Sequence, residues 1–227
     1  MEIMGLTLAQ LVSGVLSIVI IDLVLAGDNA IVIGMACRNL HKSVQMKAIV
    51  FGTAGAVVIR ILATIAVVWL LQIQGLKLAG GLLLVWISYK LLVKDEDSSN
   101  VKAQNSMLKA IITIIVADAV MGIDNILAVA GASHGSYILV IFGLAISIPI
   151  MVFCSTLIIK LMNRFPIIVD IGAAVIAYTA AKMITEEPII HQFFLNPGLK
   201  YGFIILVIAG VLLLGRRKKQ KTANASK

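Results

Sequence analysis

The sequence predicts an all-α polytopic membrane protein with seven transmembrane helices, arranged as a 3+3 inverted repeat plus a C-terminal helix. Of its 227 residues, 60% are hydrophobic and 13% are charged, whereas soluble domains have roughly 45–50% apolar and 25% charged residues. Several apolar stretches approach the roughly 20 residues that a helix needs to cross a bilayer. A polar pattern inside these stretches also occurs twice. The bilayer is therefore the expected solvent of the chain.

The apolar stretches place the seven spans near residues 8–36, 48–72, 78–93, 110–132, 137–161, 167–184 and 200–215. We interpret residues 1–215 as one transmembrane domain, in which repeat one covers 8–93, repeat two covers 110–184 and the extra helix covers 200–215. Residues 216–227 are predicted to form a basic cytoplasmic tail. The N-terminus lacks a basic segment and a cleavage signal, so we expect the first span to be retained.

Basic residues concentrate in every second connection between the spans. They are Arg38, Lys42 and Lys47 after span one, Lys94, Lys102 and Lys109 after span three, Lys160 and Arg164 after span five, and RRKKQK after span seven. By the positive-inside rule, the N-terminus and Ser133 lie outside a bacterial inner membrane, and Ser98 and the C-terminus lie in the cytoplasm. Because the charge follows topology, no nucleic-acid partner is expected.

The repeat is visible when the chain is compared with itself. A shift of 96 positions places residues 18–36 on 114–132, and a shift of 91 aligns the later helices. The matched pairs are Asp22 with Asp118, Asp28 with Asp124, Asn29 with Asn125, Gly52 with Gly143 and Gly81 with Gly172. Since each copy holds an odd number of spans, the second copy enters the membrane from the opposite side, as in many transporters.

Five acidic residues fall within predicted spans: Asp22, Asp28, Asp118, Asp124 and Asp170. A carboxylate near the bilayer centre costs about 2.5–3.5 kcal/mol, so such residues usually mark functional sites. The four motif aspartates and two asparagines offer only oxygen ligands, which favour hard cations such as Mg²⁺, Ca²⁺ and Mn²⁺. Asp170 has no repeat partner and is interpreted as structural. The histidines, His41, His134 and His191, are interpreted as loop residues.

Helical geometry separates the two aspartates of each motif. On a regular helix, Asp22 and Asp28 would be separated by roughly 9 Å along the axis and by about 240° of rotation around it. Binding of one ion by both residues therefore requires the helix to open near Gly27, or near Gly122 in the second motif. Close helix packing is the alternative role of these glycines.

Antiparallel helices predict two metal-binding layers. Their members are Asp22, Asp124 and Asn125 in an outer cluster, and Asp118, Asp28 and Asn29 in an inner cluster. Two alternatives to these layers stay open. In one, the layers merge into a single six-oxygen site because both helices break. In another, only one cluster binds metal.

Two basic residues also lie within predicted spans. Arg60, within span two, is expected to pair with a motif aspartate in the absence of metal or to form a structural ion pair. Lys182 is expected to extend toward the membrane surface.

The segments DLVLAGDNA and DAVMGIDNI, each within an apolar helix of a duplicated chain, closely resemble the TerC family of integral membrane proteins. The resemblance covers the first six predicted helices. It implies cation export through an inverted repeat, and family members are implicated in manganese export and in loading metal onto secreted enzymes. The functional positions that it implies are Asp22, Asp28, Asn29, Asp118, Asp124 and Asn125.

We therefore expect an exporter of a divalent cation, foremost Mn²⁺, that works by alternating access, with H⁺ or Na⁺ as coupling ion and no prosthetic group. The alternatives are a Ca²⁺/H⁺ exchanger, a membrane scaffold that assists metalation of secreted proteins, and an intramembrane aspartyl protease. The protease would leave the duplication and the asparagines unexplained. No nucleotide-binding motif is present, and we expect no enzyme activity. The oligomeric state is open.

Overall fold

The computed structural model describes residues 2–3, 6–25, 27–70, 73–93, 103–133 and 136–225. A minimal antiparallel hairpin, β1 (Glu2–Ile3) and β2 (Leu6–Thr7), precedes the helices. The helices are α1 (Leu8–Leu25), α2 (Gly27–Cys37), α3 (Lys42–Ile65), α4 (Val67–Leu70), α5 (Leu76–Val93), α6 (Ala103–Ala132), α7 (Tyr137–Arg164), α8 (Ile167–Thr185), α9 (Pro188–His191), a 3-10 turn (Gln192–Phe194) and α10 (Pro197–Ala225).

Within the described ranges, six helices are long and apolar enough to cross a membrane, and the bent pair α1–α2 would provide a seventh span. The predicted all-α polytopic class is confirmed. The final helix is longer than expected, because α10 continues to Ala225 and includes most of the predicted tail. The second predicted span starts earlier, at Lys42.

The first predicted span is two helices that meet at 57°. Asp28 lies in the first turn of α2, where a negative charge interacts favourably with the helix dipole. Its Oδ1 accepts a hydrogen bond from the backbone N–H of Asn29 at 3.0 Å. A β-carbon at Gly27 would meet no other atom within 4 Å, so close packing is not what requires a glycine here. In contrast, α6 runs through Gly122 without a break, so of the two motifs only the first has the opening that a shared ion would require.

The two predicted repeats pack crosswise. The helix α3 of the first repeat packs extensively against α6 of the second, and α7 of the second packs against α1 of the first. A β-carbon on Gly52 would approach Ile114 to 2.7 Å, and one on Gly143 would approach Ile18 to 2.5 Å. Both the glycines and the isoleucines are repeat partners. This reciprocity supports two related units, although their inverted arrangement stays a prediction.

Three contacts join segments that are distant in sequence, and each contact joins two segments that the loop charges place on the same side of the membrane. Glu187, after α8, binds the start of α5. Arg38 Nη2 donates to the Leu91 carbonyl at 3.4 Å, which joins the ends of α2 and α5. Arg216 and Asp170 pair at 2.8 Å. The first contact joins two connections predicted outside, and the others join segments predicted cytoplasmic. The membrane orientation itself stays a prediction.

The buried carboxylate of Glu187, which follows α8, caps the N-terminus of helix α5. It accepts hydrogen bonds from the backbone amides of Gly75, Lys77 and Leu78 at 3.0, 3.0 and 3.2 Å. Gly75 has a φ of 82°, in the left-handed region that favours glycine. The end of α8 is thereby fastened to the beginning of α5.

Replacing Glu187 with alanine should lower the free energy of unfolding by about 1.5–3 kcal/mol, because three helix amides lose a charged acceptor. The measurement is denaturant unfolding in detergent micelles. Glu186→Ala is the matched control, since Glu186 forms a half-exposed ion pair with Lys200 and should cost less than about 1 kcal/mol. Equal losses in the two variants would contradict a capping role.

Cysteine labelling tests the orientation. Ser98 lies outside the described residues and Ser133 is buried, so exposed positions on other connections serve better. In a chain with Cys37 and Cys154 replaced by alanine, an impermeant maleimide added to intact cells should label Gln192→Cys and leave Ser43→Cys unlabelled until the membrane is opened. The reverse pattern would invert the topology.

Candidate functional site

Three charged side chains from three helices form a buried triad, which consists of Asp22 on α1, Arg60 on α3 and Asp118 on α6. Arg60 donates from Nη1 to Asp22 Oδ1, and from Nη2 to Asp118 Oδ1 at 2.5 Å. Their side chains are only 1–5% exposed. The planar fork of arginine suits this arrangement, because its two terminal nitrogens donate in fixed directions. One guanidinium therefore bridges repeat partners from both predicted repeats.

Arg60 breaks the repeat symmetry. The position that matches it in the second repeat holds Met151. The neighbouring hydroxyls are nevertheless alike: Thr64 donates to the Arg60 carbonyl at 2.8 Å, and Ser155 donates to the Met151 carbonyl at 2.6 Å. The triad is thus an asymmetric feature within similar helical surroundings.

Several buried polar atoms of the triad and of the motif residue Asn29 have no hydrogen-bond partner among the described residues. They are Asp22 Oδ2, Asp118 Oδ2, Arg60 Nε, and the amide oxygen and nitrogen of Asn29. Leaving such groups buried and unpaired is costly. The two carboxylate oxygens and the amide oxygen are hard ligands of the kind that Mn²⁺, Ca²⁺ and Mg²⁺ accept. The donor set therefore fits a hard cation.

Asp28 extends the charged cluster beyond the triad. Its Oδ2 accepts a hydrogen bond from Thr179 Oγ1 of α8 at 3.3 Å, and it interacts electrostatically with Arg60 and Asp118. Across the described part of the chain, no three acidic, histidine or cysteine side chains are arranged to hold a metal ion. Two of the carboxylates instead share Arg60, so cation binding requires rearrangement of these ion pairs.

The remaining predicted site residues lie further along α6. Asn125 is buried and follows Asp118 by seven residues, which places it on the same face of the helix about 10 Å away. The backbone of Asp124 belongs to α6, but its side chain is outside the described part of the structure.

The predicted separation of Asp22 and Asp118 into different layers is wrong, because both bind Arg60. That prediction assumed an unbroken first helix, and it ranked the aspartates by depth alone. A forked side chain reaches across that depth difference, because its two terminal nitrogens bind one carboxylate each. The expected pairing of Arg60 with a motif aspartate is confirmed.

Sequence reasoning missed Thr179 as a partner of Asp28. The signal was a hydroxyl residue at matching positions of the two repeats, since Thr179 aligns with Ser88 under the shift of 91. Ser88 is buried and donates to the Ala173 carbonyl at 2.8 Å.

The other polar residues singled out from the sequence lie apart from the triad. Asp170 pairs with Arg216, in line with a structural role, and Lys182 is exposed. His41 caps α3 through Ser43, and His191 lies near the Thr185 carbonyl. His134 falls outside the described residues.

Comparisons with known proteins extend this description. Residues 7–223 match the family described as integral membrane protein TerC family. The uncharacterized membrane protein YjbE of Bacillus subtilis (strain 168) is 41% identical over 199 residues, which cover 87% of this chain and 91% of the relative. YkoY, another uncharacterized membrane protein of that strain, is 22% identical over 88% of this chain and 71% of its own. The inner membrane protein YgdQ of Escherichia coli (strain K12) is 22% identical over 77% of this chain and 81% of its own. No solved structure matches.

Arg60→Gln should destabilise the protein by about 3–5 kcal/mol, because it leaves two carboxylates buried without their counter-charge. Adding Asp22→Asn and Asp118→Asn should restore most of the loss. The readout is denaturant unfolding in detergent, and Arg216→Gln, which removes an exposed pair, is the control and should cost less than about 1 kcal/mol. A triple variant as unstable as Arg60→Gln would show that the arginine stabilises the fold through packing alone.

Proposed function

The chain belongs to the integral membrane protein TerC family, and we propose that it exports a divalent metal cation, foremost Mn²⁺, across the bacterial inner membrane by alternating access. The proposed ligands are Asp22, Asp28, Asn29, Asp118, Asp124 and Asn125. The observation that carries the proposal is the buried triad with its unpaired carboxylate oxygens. Ionisable side chains inside membrane-spanning helices are costly, and those that occur usually mark a path for ions or protons.

Charge balance supports a divalent cargo. The four motif aspartates, when ionised, carry four negative charges, and Arg60 carries one positive charge. One divalent cation would balance two of the remaining three negative charges. The last carboxylate would then carry a proton that could be exchanged during transport, since metal binding is coupled to the protonation of its ligands.

Arg60 acts in this mechanism as an internal counter-ion. An entering metal displaces the guanidinium from Asp22 and Asp118, and the guanidinium returns when the metal leaves. Arg60 therefore offsets part of the negative charge when the metal is absent, and the metal offsets it when bound, which lowers the cost of moving between the two states. The same competition gives a reason for one arginine to contact both repeats.

The bend between α1 and α2 supplies a place where the site can change shape. Asp22 lies on α1 before the bend, and Asp28 lies on α2 after it. The helices α5, α8 and α10 pack together as one group, and Thr179 of that group holds Asp28. Movement of this group against α1, α3, α6 and α7 would carry Asp28 toward or away from the triad.

The donor set favours Mn²⁺ over Zn²⁺ or Cu²⁺, because those ions bind more strongly where histidine or cysteine takes part. A Ca²⁺/H⁺ exchanger would use the same oxygen ligands. Only a comparison of Ca²⁺ and Mn²⁺ transport rates distinguishes it from a Mn²⁺ exporter. The protease alternative is not favoured, because Asp22 and Asp118 bind Arg60 instead of sharing a proton. We accordingly propose a transporter without enzyme activity.

In proteoliposomes, the protein should carry Mn²⁺ faster than Zn²⁺, and a pH gradient should drive the flux. Asp118→Asn should lower the transport rate at least about tenfold. Mutating a residue that only supports a metal ligand already lowers activity about tenfold or more, and Asp118 is a proposed ligand itself. Asp170→Asn is the matched control and should transport normally, since its carboxylate pairs with Arg216 away from the triad.

The same variants can be expressed in a strain that lacks its Mn²⁺ exporters. The unaltered chain and Asp170→Asn should raise tolerance to Mn²⁺, and Asp118→Asn should not. Unchanged tolerance with the unaltered protein present in the membrane would argue against export. Faster Ca²⁺ than Mn²⁺ flux would favour the exchanger.

A further inference from the structure

A cavity of about 400 Å³ is lined by residues of α2, α5 and α6 and of the turn after α2. It lies toward the end of α5 and the start of α6, on the face that the loop charges assign to the cytoplasm. The cavity is separate from the triad, and none of the proposed metal ligands lines it.

The apolar part of this cavity is continuous with the lipid-facing surface. Leu83, Trp86 and Ile112 line the cavity, and they are 36%, 54% and 52% exposed. On membrane-spanning helices, exposed apolar side chains contact acyl chains. Ile87 is buried and closes the wall toward the bundle. The cavity therefore opens laterally toward lipid.

Two lysines give the same cavity a positive end. Lys90, near the end of α5, and Lys109, near the start of α6, both line it and both are exposed. The Lys90 ammonium lies 4.4 Å from the Trp86 ring centroid, a cation–π contact. No salt bridge joins either lysine to a carboxylate of the described residues.

We propose that this cavity binds an anionic phospholipid of the cytoplasmic leaflet, with its phosphate between Lys90 and Lys109 and an acyl chain along Leu83, Trp86 and Ile112. Basic pockets between transmembrane helices on the cytoplasmic side bind anionic headgroups in this way. An entry route for the metal is the competing use of the cavity. Two lysine charges at its lining would repel a divalent cation, and the same charges attract a phosphate.

Trp86 provides a local reporter. The chain has two tryptophans, so Trp69→Phe leaves Trp86 as the single tryptophan, which can be excited selectively over tyrosine. The full chain is reconstituted in nanodiscs of unlabelled phosphatidylcholine, and phosphatidylglycerol or phosphatidylcholine with brominated acyl chains is added in increasing amounts. Phosphatidylglycerol should quench Trp86 at a mole fraction about tenfold lower, as expected for two lysines near an anionic ligand.

The lysine variants distinguish a site from general surface charge. Lys90→Gln with Lys109→Gln should abolish the preference for phosphatidylglycerol while quenching by phosphatidylcholine persists, which also shows that Trp86 still faces lipid. Lys42→Gln with Lys47→Gln removes the same charge from α3, on the same predicted face, and should leave the preference intact. Raised salt should weaken the preference.

Two results would overturn the proposal. Equal quenching by the two lipids in the parent chain would mean ordinary annular lipid at Trp86. An equal loss of preference in both lysine pairs would mean that the net charge of the face, and no particular cavity, attracts the lipid.

Discussion

The interaction of Arg60 with Asp22 and Asp118 is the constraint on which the polar interior of this protein depends. Each carboxylate alone would be costly in a membrane-spanning helix, and the guanidinium would be equally costly alone. Together they compensate one another and fix α1, α3 and α6 at one point. The three side chains come from both predicted repeats. The same ion pairs that hold these helices together therefore also form the charged centre of the candidate site.

Close approach of the helices makes this contact possible. Lipid is as apolar as the helix surfaces, so helix association in a membrane rests on close packing and polar contacts instead of a hydrophobic driving force. Gly52 against Ile114 and Gly143 against Ile18 supply the packing, and the triad supplies the polar contact. Gly52 and the Arg60–Asp118 pair therefore act on the same two helices, α3 and α6, whereas Gly143 brings α7 close to α1.

Stability and movement are divided between two ends of the molecule. Glu187 fastens the end of α8 to the beginning of α5 through three backbone amides, so these helices hold together. Near the triad, Asp28 is joined to α8 by a 3.3 Å hydrogen bond from Thr179, and it lies beside the bend that follows α1. The three-amide cap thus lies within one group of helices, whereas the longer Thr179–Asp28 contact joins that group to α2.

The sequence by itself determined the spans, the alternation of basic connections and the aspartates of both motifs, because hydropathy, charge and repetition are local properties of the chain. It also indicated that Arg60 takes part in an ion pair inside the membrane, with a motif aspartate as one of two possible partners. The tertiary structure decided that one arginine binds both Asp22 and Asp118, that only the first motif breaks its helix, and that Glu187 and Thr179 act on distant elements. These outcomes depend on which helices approach one another and how far a forked side chain reaches across the gap, and neither distance is encoded in residue spacing along one helix.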